Sequence, residues 1–592
     1  MMKLLLAKLT LLSLLISFAA PVSNAQRSRP RKPMNTETLA ARATRLADEY
    51  VAEYVSRFPE QAELSGLPVT RHDGLTDNSM AALKSWQSLE DGWARELASM
   101  KLADLEGRPE WVTLGFLKEA VESSRQSRVC RYELWPANQL SGWQANFAQL
   151  SDVQPVGSDQ NRSDALARFG KLPRYLDTEI DNLREGARLG YTTPKRNVQL
   201  VVEQLEQILK LPVEQLPFYS PTMRDSSADF KQAWTKLLTN EIRPAIERYR
   251  DYLKNDYVNH ARVSLAITAI PNGAACYDAS FRSSTTLTRT GRETFNLGMR
   301  RVERLRAEAM EIARTKLGIN DLKTLVDRIR TDPANKFSSR DELLEFARAA
   351  VERAKNKLPQ WFSTIPRTSI SVEPYPAFME NTSPDSYWPA PPDGSRTATY
   401  RISLFRFADT PRSNAEVTAF HESYPGHHLQ IGLALERPSA HLITRLVGNS
   451  GFIEGWARYA ENLAEEMGLY SSDYARANRR LWPSRGMVVD PGLHLFGWTR
   501  DRAVAFMVES GRMSEREAEN TVDRIAVWPA QLTAYDTGAM EFFALRDEAR
   551  AALGQRFDIR EFHDVVLSSG SITLPMLRER VERWIRSKRR AS

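Results

Sequence analysis

The sequence predicts a mainly α-helical protein with one small β-sheet, placed near residues 365–407. Three observations carry this expectation. Apolar residues recur at helical spacing from about residue 39 to residue 358, interrupted by turns that contain Pro and Gly. Between Ile365 and Phe407 the texture changes to short alternating runs around a Pro-rich loop. After Ser413-Asn414-Ala415-Glu416 the helical pattern returns and persists almost to the C-terminus.

In chain order, Met1 to Lys8 is short and basic, and Leu9 to Ala20 is nearly all apolar. Pro21-Val22-Ser23-Asn24-Ala25 then places small residues where a signal peptidase reads, so residues 1–25 are expected to be a signal peptide cut after Ala25. The apolar run is short for a membrane span, and no later stretch reaches about 18 uninterrupted apolar residues. The expected location is therefore periplasmic or secreted, with no integral membrane association. Residues 26–35, rich in Arg and Pro at their start, read as a disordered lead-in. Asn35-Thr36-Glu37 looks like a helix start, and Leu39 to Phe58 keeps an apolar stripe. Ala165–Leu189, Val198–Leu211, Phe230–Asn255 and Thr290–Leu317 are the clearest helical patterns that follow. Ile370-Ser371-Val372 and Thr399 to Leu404 read as strands, flanking a loop with Tyr375, Tyr387 and Trp388.

Composition narrows the function classes. The chain has 592 residues, 42% hydrophobic and 26% charged, the balance of a globular protein with a substantial core. The formal charge of +7 owes much to two terminal runs, Arg27 to Lys32 and Arg586 to Arg590, which read as solvated tails. No nucleic-acid motif and no basic stripe interleaved with aromatics occurs, so no nucleic-acid partner is expected. Cys130 and Cys276 are the only cysteines. In a chain bound for an oxidising compartment such a pair is expected to form a disulfide.

Chemistry concentrates in one segment. Of eight histidines in the chain, three fall within His421-Glu422-Ser423-Tyr424-Pro425-Gly426-His427-His428. A His-Glu pair followed by further His has the residue types of a zincin helix. There two histidines one turn apart hold zinc and the intervening Glu activates water. Here Pro425 stands where the second histidine would be. Proline lacks a backbone N–H and its ring clashes with the carbonyl four residues back, so the helix must kink or bulge. On a straight helix His428 would share a face with His421 but sit roughly 10 Å along the axis, too far to share one ion. If Pro425-Gly426 loops out, His427 takes the second ligand position, with His428 the alternative. A third ligand is needed, and Glu454 and Glu461 lie two turns apart on one helical face. Glu454 has apolar and Gly neighbours, where an unpaired carboxylate is costly. His72, His260, His441 and His563 read as structural or exposed.

These residues carry a resemblance. The His421–Gln430 string and Phe452-Ile453-Glu454-Gly455-Trp456-Ala457 resemble the bacterial proteins of domain of unknown function 885. So do Asp490–His494 through Gly497–Arg500, Pro529-Ala530-Gln531 up to Tyr535, Ile270–Gly273 and Phe557–His563. The family is grouped with gluzincin-type zinc peptidases. The resemblance implies a two-lobed helical metallopeptidase fold over residues 36–592, with a helical lobe at 36–360 and a metal-site lobe at 361–592. Ile453–Ala457 is also similar to the Asn-Glu-Gly-Phe-Ala stretch of gluzincin aminopeptidases, whose Glu is the third ligand, and this favours Glu454 over Glu461. The expected ligand set is thus His421, His427 and Glu454 around zinc, with Glu422 as general base. Tyr535, His494 and Arg500, in segments that match the family, are candidates to stabilise the transition state. Related helical gluzincins enclose their metal in a narrow channel, which implies short peptide substrates. Two other readings stay open: a zinc hydrolase of another amide or ester, and a non-catalytic scaffold that binds peptide or protein.

Overall fold

The computed structural model describes residues 37–375, 380, 384–390, 397–437 and 440–590. The expected signal peptide and lead-in, residues 1–35, lie outside the described residues, as does part of the Pro-rich loop. From Leu39 onward the chain forms one body, mainly helical, with a small mixed sheet.

Helix limits follow local chemistry. Thr290 caps the Gly291–Ile312 helix, its side chain accepting from Glu293 N–H while the Glu293 carboxylate returns to the Thr290 backbone. Ser514 and Glu517 build the same reciprocal cap on the Glu515–Val527 helix. The expected Ala165–Leu189 run is two helices, Asp159–Phe169 and Leu172–Leu189, because Pro173 suits a first turn better than a helix interior. Phe230–Asn255 is continuously helical but relaxes into wider π turns at Leu238–Ile242 and Leu253–Tyr257.

Strand β1 (Ile370–Pro374) pairs in parallel with β3 (Ala398–Ile402), and β2 (Ser386–Trp388) pairs antiparallel with the other side of β3. Val372, Tyr400 and Tyr387 stand in register across the three. The sequence pattern pointed to β1 and β3. It assigned β2 to the loop, since three residues are too few to display an alternation.

The largest buried cluster draws on helices between Ala40 and Val121 together with residues from Phe337 to Val581, so it takes residues from either side of position 360. A separate cluster lies wholly within Ala137–Ala261. Cys130 and Cys276, joined as expected by a disulfide, flank that second region in the chain. Among the described residues no helix is long and apolar enough to cross a membrane.

One contact fixes the middle of the molecule. The Ser450–Glu466 and Ala534–Leu553 helices approach until only glycine fits between their backbones. A Cβ on Gly538 would lie 1.8 Å from the Gly451 carbonyl oxygen, and one on Gly455 would lie 2.6 Å from the Gly538 backbone. These two helices bring Glu454 and Tyr535 to the site.

Candidate metal centre

The Arg412–Glu422 helix ends at Ser423, whose N–H still bonds the Ala419 carbonyl. The chain then turns through Ser423–Gly426, with a cis bond before Pro425, and a new helix starts at His427. The interruption is therefore larger than a two-residue bulge within one helix. Three features hold it. His428 N–H donates back to the Ser423 carbonyl at 3.1 Å. A Cβ on Gly426 would sit 1.9 Å from the His421 carbonyl oxygen, so no other residue fits there. The buried Trp456 indole N–H donates to the Pro425 carbonyl at 2.9 Å, tying the turn to the Ser450–Glu466 helix.

The result is that the His421 and His427 rings stand nearly perpendicular, with centres 4.7 Å apart. Glu454 Oε2 lies 3.7 Å from His421 Nε2 and 3.5 Å from His427 Nε2. These three residues are the one group of potential ligands that converges among the described residues, one ligand atom from each lying within 4.8 Å of the others. Ligands at 2.0–2.1 Å in a tetrahedron are separated by roughly 3.4 Å. Glu454 Oε2 is buried with no hydrogen-bond partner among the described residues, which is costly for a carboxylate oxygen unless a cation is bound. The donor set and its spacing fit zinc.

Buried charges hold the His421 ring in place. Its Nδ1 lies 2.9 Å from Glu461 Oε1, and Arg458 Nη1 donates to both oxygens of the same carboxylate at 2.7 Å. Burial pushes Glu461 up, but Arg458 and His421 hold it down at about 2. An ionised Glu461 accepts a hydrogen bond from the Nδ1–H of His421 and so turns Nε2 towards Glu454. Burial pushes His421 down as well. The carboxylates of Glu454, Glu461 and Glu422 outweigh it and raise the imidazole to about 10. Glu454 is held well below the usual carboxylate range, because attraction to the two histidines overcomes its burial.

Glu422 is adjacent to this triad and outside it. Burial and the Glu454 charge raise its carboxyl, against the pull of His421, His427 and a hydrogen bond from the Tyr387 N–H. The Tyr535 ring stacks on His421 at 6.2 Å and 20°. Burial first, then the Glu454 charge, raise its hydroxyl to about 12, against the attraction of Arg524.

Other sequence candidates sit elsewhere. Both ring nitrogens of the alternative ligand His428 are engaged, Nδ1 with the Tyr387 hydroxyl and Nε2 with the Thr368 carbonyl, each at 3.1 Å. Its ring fastens the new helix to the sheet region. His494 is not brought to the triad. It is buried, accepts from Ile267 N–H at Nδ1, faces the Ile525 carbonyl at Nε2, and is lowered to about 3 by burial. Arg500 spends its guanidinium on Glu519 and Asp523. Both serve as connectors of backbone and helices. Arg458, Trp456, Arg524 and Gly426 were not singled out as site residues. In the sequence each is an ordinary helix or turn residue, and only Arg458, three positions before Glu461, has spacing that hints at its partner.

A helical frame holding a buried two-histidine, one-carboxylate cluster with a further glutamate beside it defines a candidate metalloprotein. The chain belongs to the family described as bacterial protein of unknown function (DUF885), whose model matches residues 59–581. No curated protein matches the sequence. Solved structures share the fold, two of them over nearly the whole chain. One is a candidate lipoprotein from Colwellia psychrerythraea, 22% identical, with a TM-score of 0.85 over 93% of this chain and 100% of the other. The second is a candidate lipoprotein of unknown function from Shewanella oneidensis, 19% identical, with a TM-score of 0.73 over 91% of this chain and 99% of the other.

Proposed function

We propose that the protein is a gluzincin-like zinc hydrolase that cleaves short peptides outside the cytoplasm. The observation that carries this reading is the convergence of His421, His427 and Glu454 on one point, with Glu422 adjacent and not a ligand. Bound by those three residues, zinc supplies a Lewis acid that lowers the pKa of water towards neutrality. Glu422 accepts the proton of the attacking water and passes it to the leaving amine. Tyr535 donates its hydroxyl proton in a hydrogen bond to the carbonyl oxygen as charge develops there. Glu461 and Arg458 fix the His421 ring and its tautomer throughout. The disulfide supports an oxidising compartment, in keeping with export through the N-terminal segment.

The test is elemental analysis of protein purified without chelator, followed by a peptide-library cleavage assay. One zinc per chain and zinc-dependent cleavage are expected. Glu422→Gln should keep zinc and fold while losing nearly all turnover. Protein that carries no metal, and gains none on adding zinc, contradicts the reading; comparable turnover in Glu422→Gln assigns the base elsewhere.

A further inference from the structure

Arg524 stands beside this site, and the reading above leaves it without a task. It lies on the Glu515–Val527 helix. Its guanidinium interacts electrostatically with the Tyr535 side chain, whose ring stacks on His421, and it donates to Gln531 Oε1. The guanidinium carbon lies 5.5 Å from the centre of the Trp528 ring, an indole that is 49% exposed. Two nearby arginines have carboxylate partners: Arg458 has Glu461, and Arg500 has Glu519 and Asp523. Arg524 feels the charges of Glu454 and Asp490, but among the described residues no carboxylate stands within ion-pair distance of it. With Glu454 engaged by a cation, that pull is taken up, and a half-buried guanidinium is left without a neighbouring counter-ion.

We propose that Arg524 binds a carboxylate of the substrate, so that the peptides cleaved are those with a free C-terminal carboxylate close to the scissile bond. The inference rests on the zinc-peptidase reading. The planar fork of arginine matches a carboxylate with two parallel hydrogen bonds. A cation without a counter-ion in a water-poor setting gains from an anion that arrives with the substrate. One residue spans about 3.8 Å between Cα atoms. A C-terminal carboxylate one residue beyond the reacting carbonyl therefore reaches about one side chain further than the metal ligands, and Tyr535 is the side chain that separates Arg524 from His421. The Trp528 face lies beside it to cover the terminal residue.

Hydrolysis of N-acetyl-Ala-Ala-Phe and of its C-terminal amide by the zinc-loaded full chain tests the proposal. The wild type is expected to favour the acid in kcat/KM by about 10- to 150-fold, the range of a hydrogen bond to a charged group. Arg524→Gln should bring the two substrates to parity, and Arg524→Lys should keep part of the preference. Binding of N-acetyl-phenylalanine and its amide to zinc-loaded Glu422→Gln protein, followed by calorimetry, gives a readout independent of turnover and should show the same preference. Melting temperature and zinc content report whether each variant is folded and loaded. If Arg524 only positions Tyr535, Arg524→Gln slows both substrates equally and the acid preference persists, which overturns the proposal. Equal cleavage of acid and amide by the wild type also overturns it, and leaves the peptidase reading standing. A zinc-loaded protein that hydrolyses no peptide removes both.

Discussion

At the scale of single residues, His427 and His428 are neighbours with different work. His427 Nε2 faces Glu454, whereas both nitrogens of His428 are bonded to Tyr387 and Thr368. His427→Ala is therefore expected to lower zinc affinity by several orders of magnitude with modest loss of stability. His428→Ala removes a buried ring and strands two partners, so it should cost about 2–4 kcal/mol of stability. Its effect on zinc affinity should stay on the order of 10–100-fold, as for a residue that supports ligands from behind. Zinc titration and denaturant unfolding of both variants decide this, and a reversed order of zinc affinities would exchange the two roles. The residues that converge were legible because three histidines in eight positions is a rare composition, and because Glu454 has apolar neighbours. His494 and Arg500 show where such reading stops. They lie in segments that match the family, yet a matching segment can build scaffold as readily as it lines a site. Trp456 and Arg524 were illegible for the opposite reason. Their meaning lies in partners 31 and 7 positions away, which no local pattern records.

At the scale of elements, the site depends on how closely two helices can lie. The glycine crossing sets the separation of the Ser450–Glu466 and Ala534–Leu553 helices, and with it the relation of Glu454 to Tyr535. Gly538→Ala forces a methyl group against the Gly451 carbonyl, where backbone and not a flexible side chain must move. It should destabilise the protein by about 3 kcal/mol or more, at the upper end of overpacking costs. The folded fraction should also turn over more slowly. Gly448→Ala is the matched control, because its added methyl meets only Ile453 Cδ1 at an ordinary 3.7 Å. Equal unfolding midpoints for the two variants would show that the crossing can relax. Helical spacing announced both helices in the sequence. It said nothing of the crossing, since a glycine that permits approach and a glycine that loosens a helix are the same letter.

At the scale of the molecule, the mainly helical class and the place of the sheet were legible because helical periodicity persists over long runs. The division of the interior was not. Buried clusters assemble residues far apart in sequence, as when Ala40–Val121 meets residues beyond Phe337. The Ala137–Ala261 cluster is the exception, its buried residues all drawn from one stretch of chain, and the disulfide joins the two segments that lead into and out of it. That arrangement has a mechanical consequence. Cys130 and Cys276 are 146 residues apart, a length that could extend to roughly 500 Å when unravelled. Tension applied to the two ends of the protein bypasses this stretch through the sulfur bridge, so that length stays hidden from extension until a reductant is added. A protease that nicks anywhere between the two cysteines likewise leaves both fragments travelling as one chain on a non-reducing gel, and as two once the bridge is reduced.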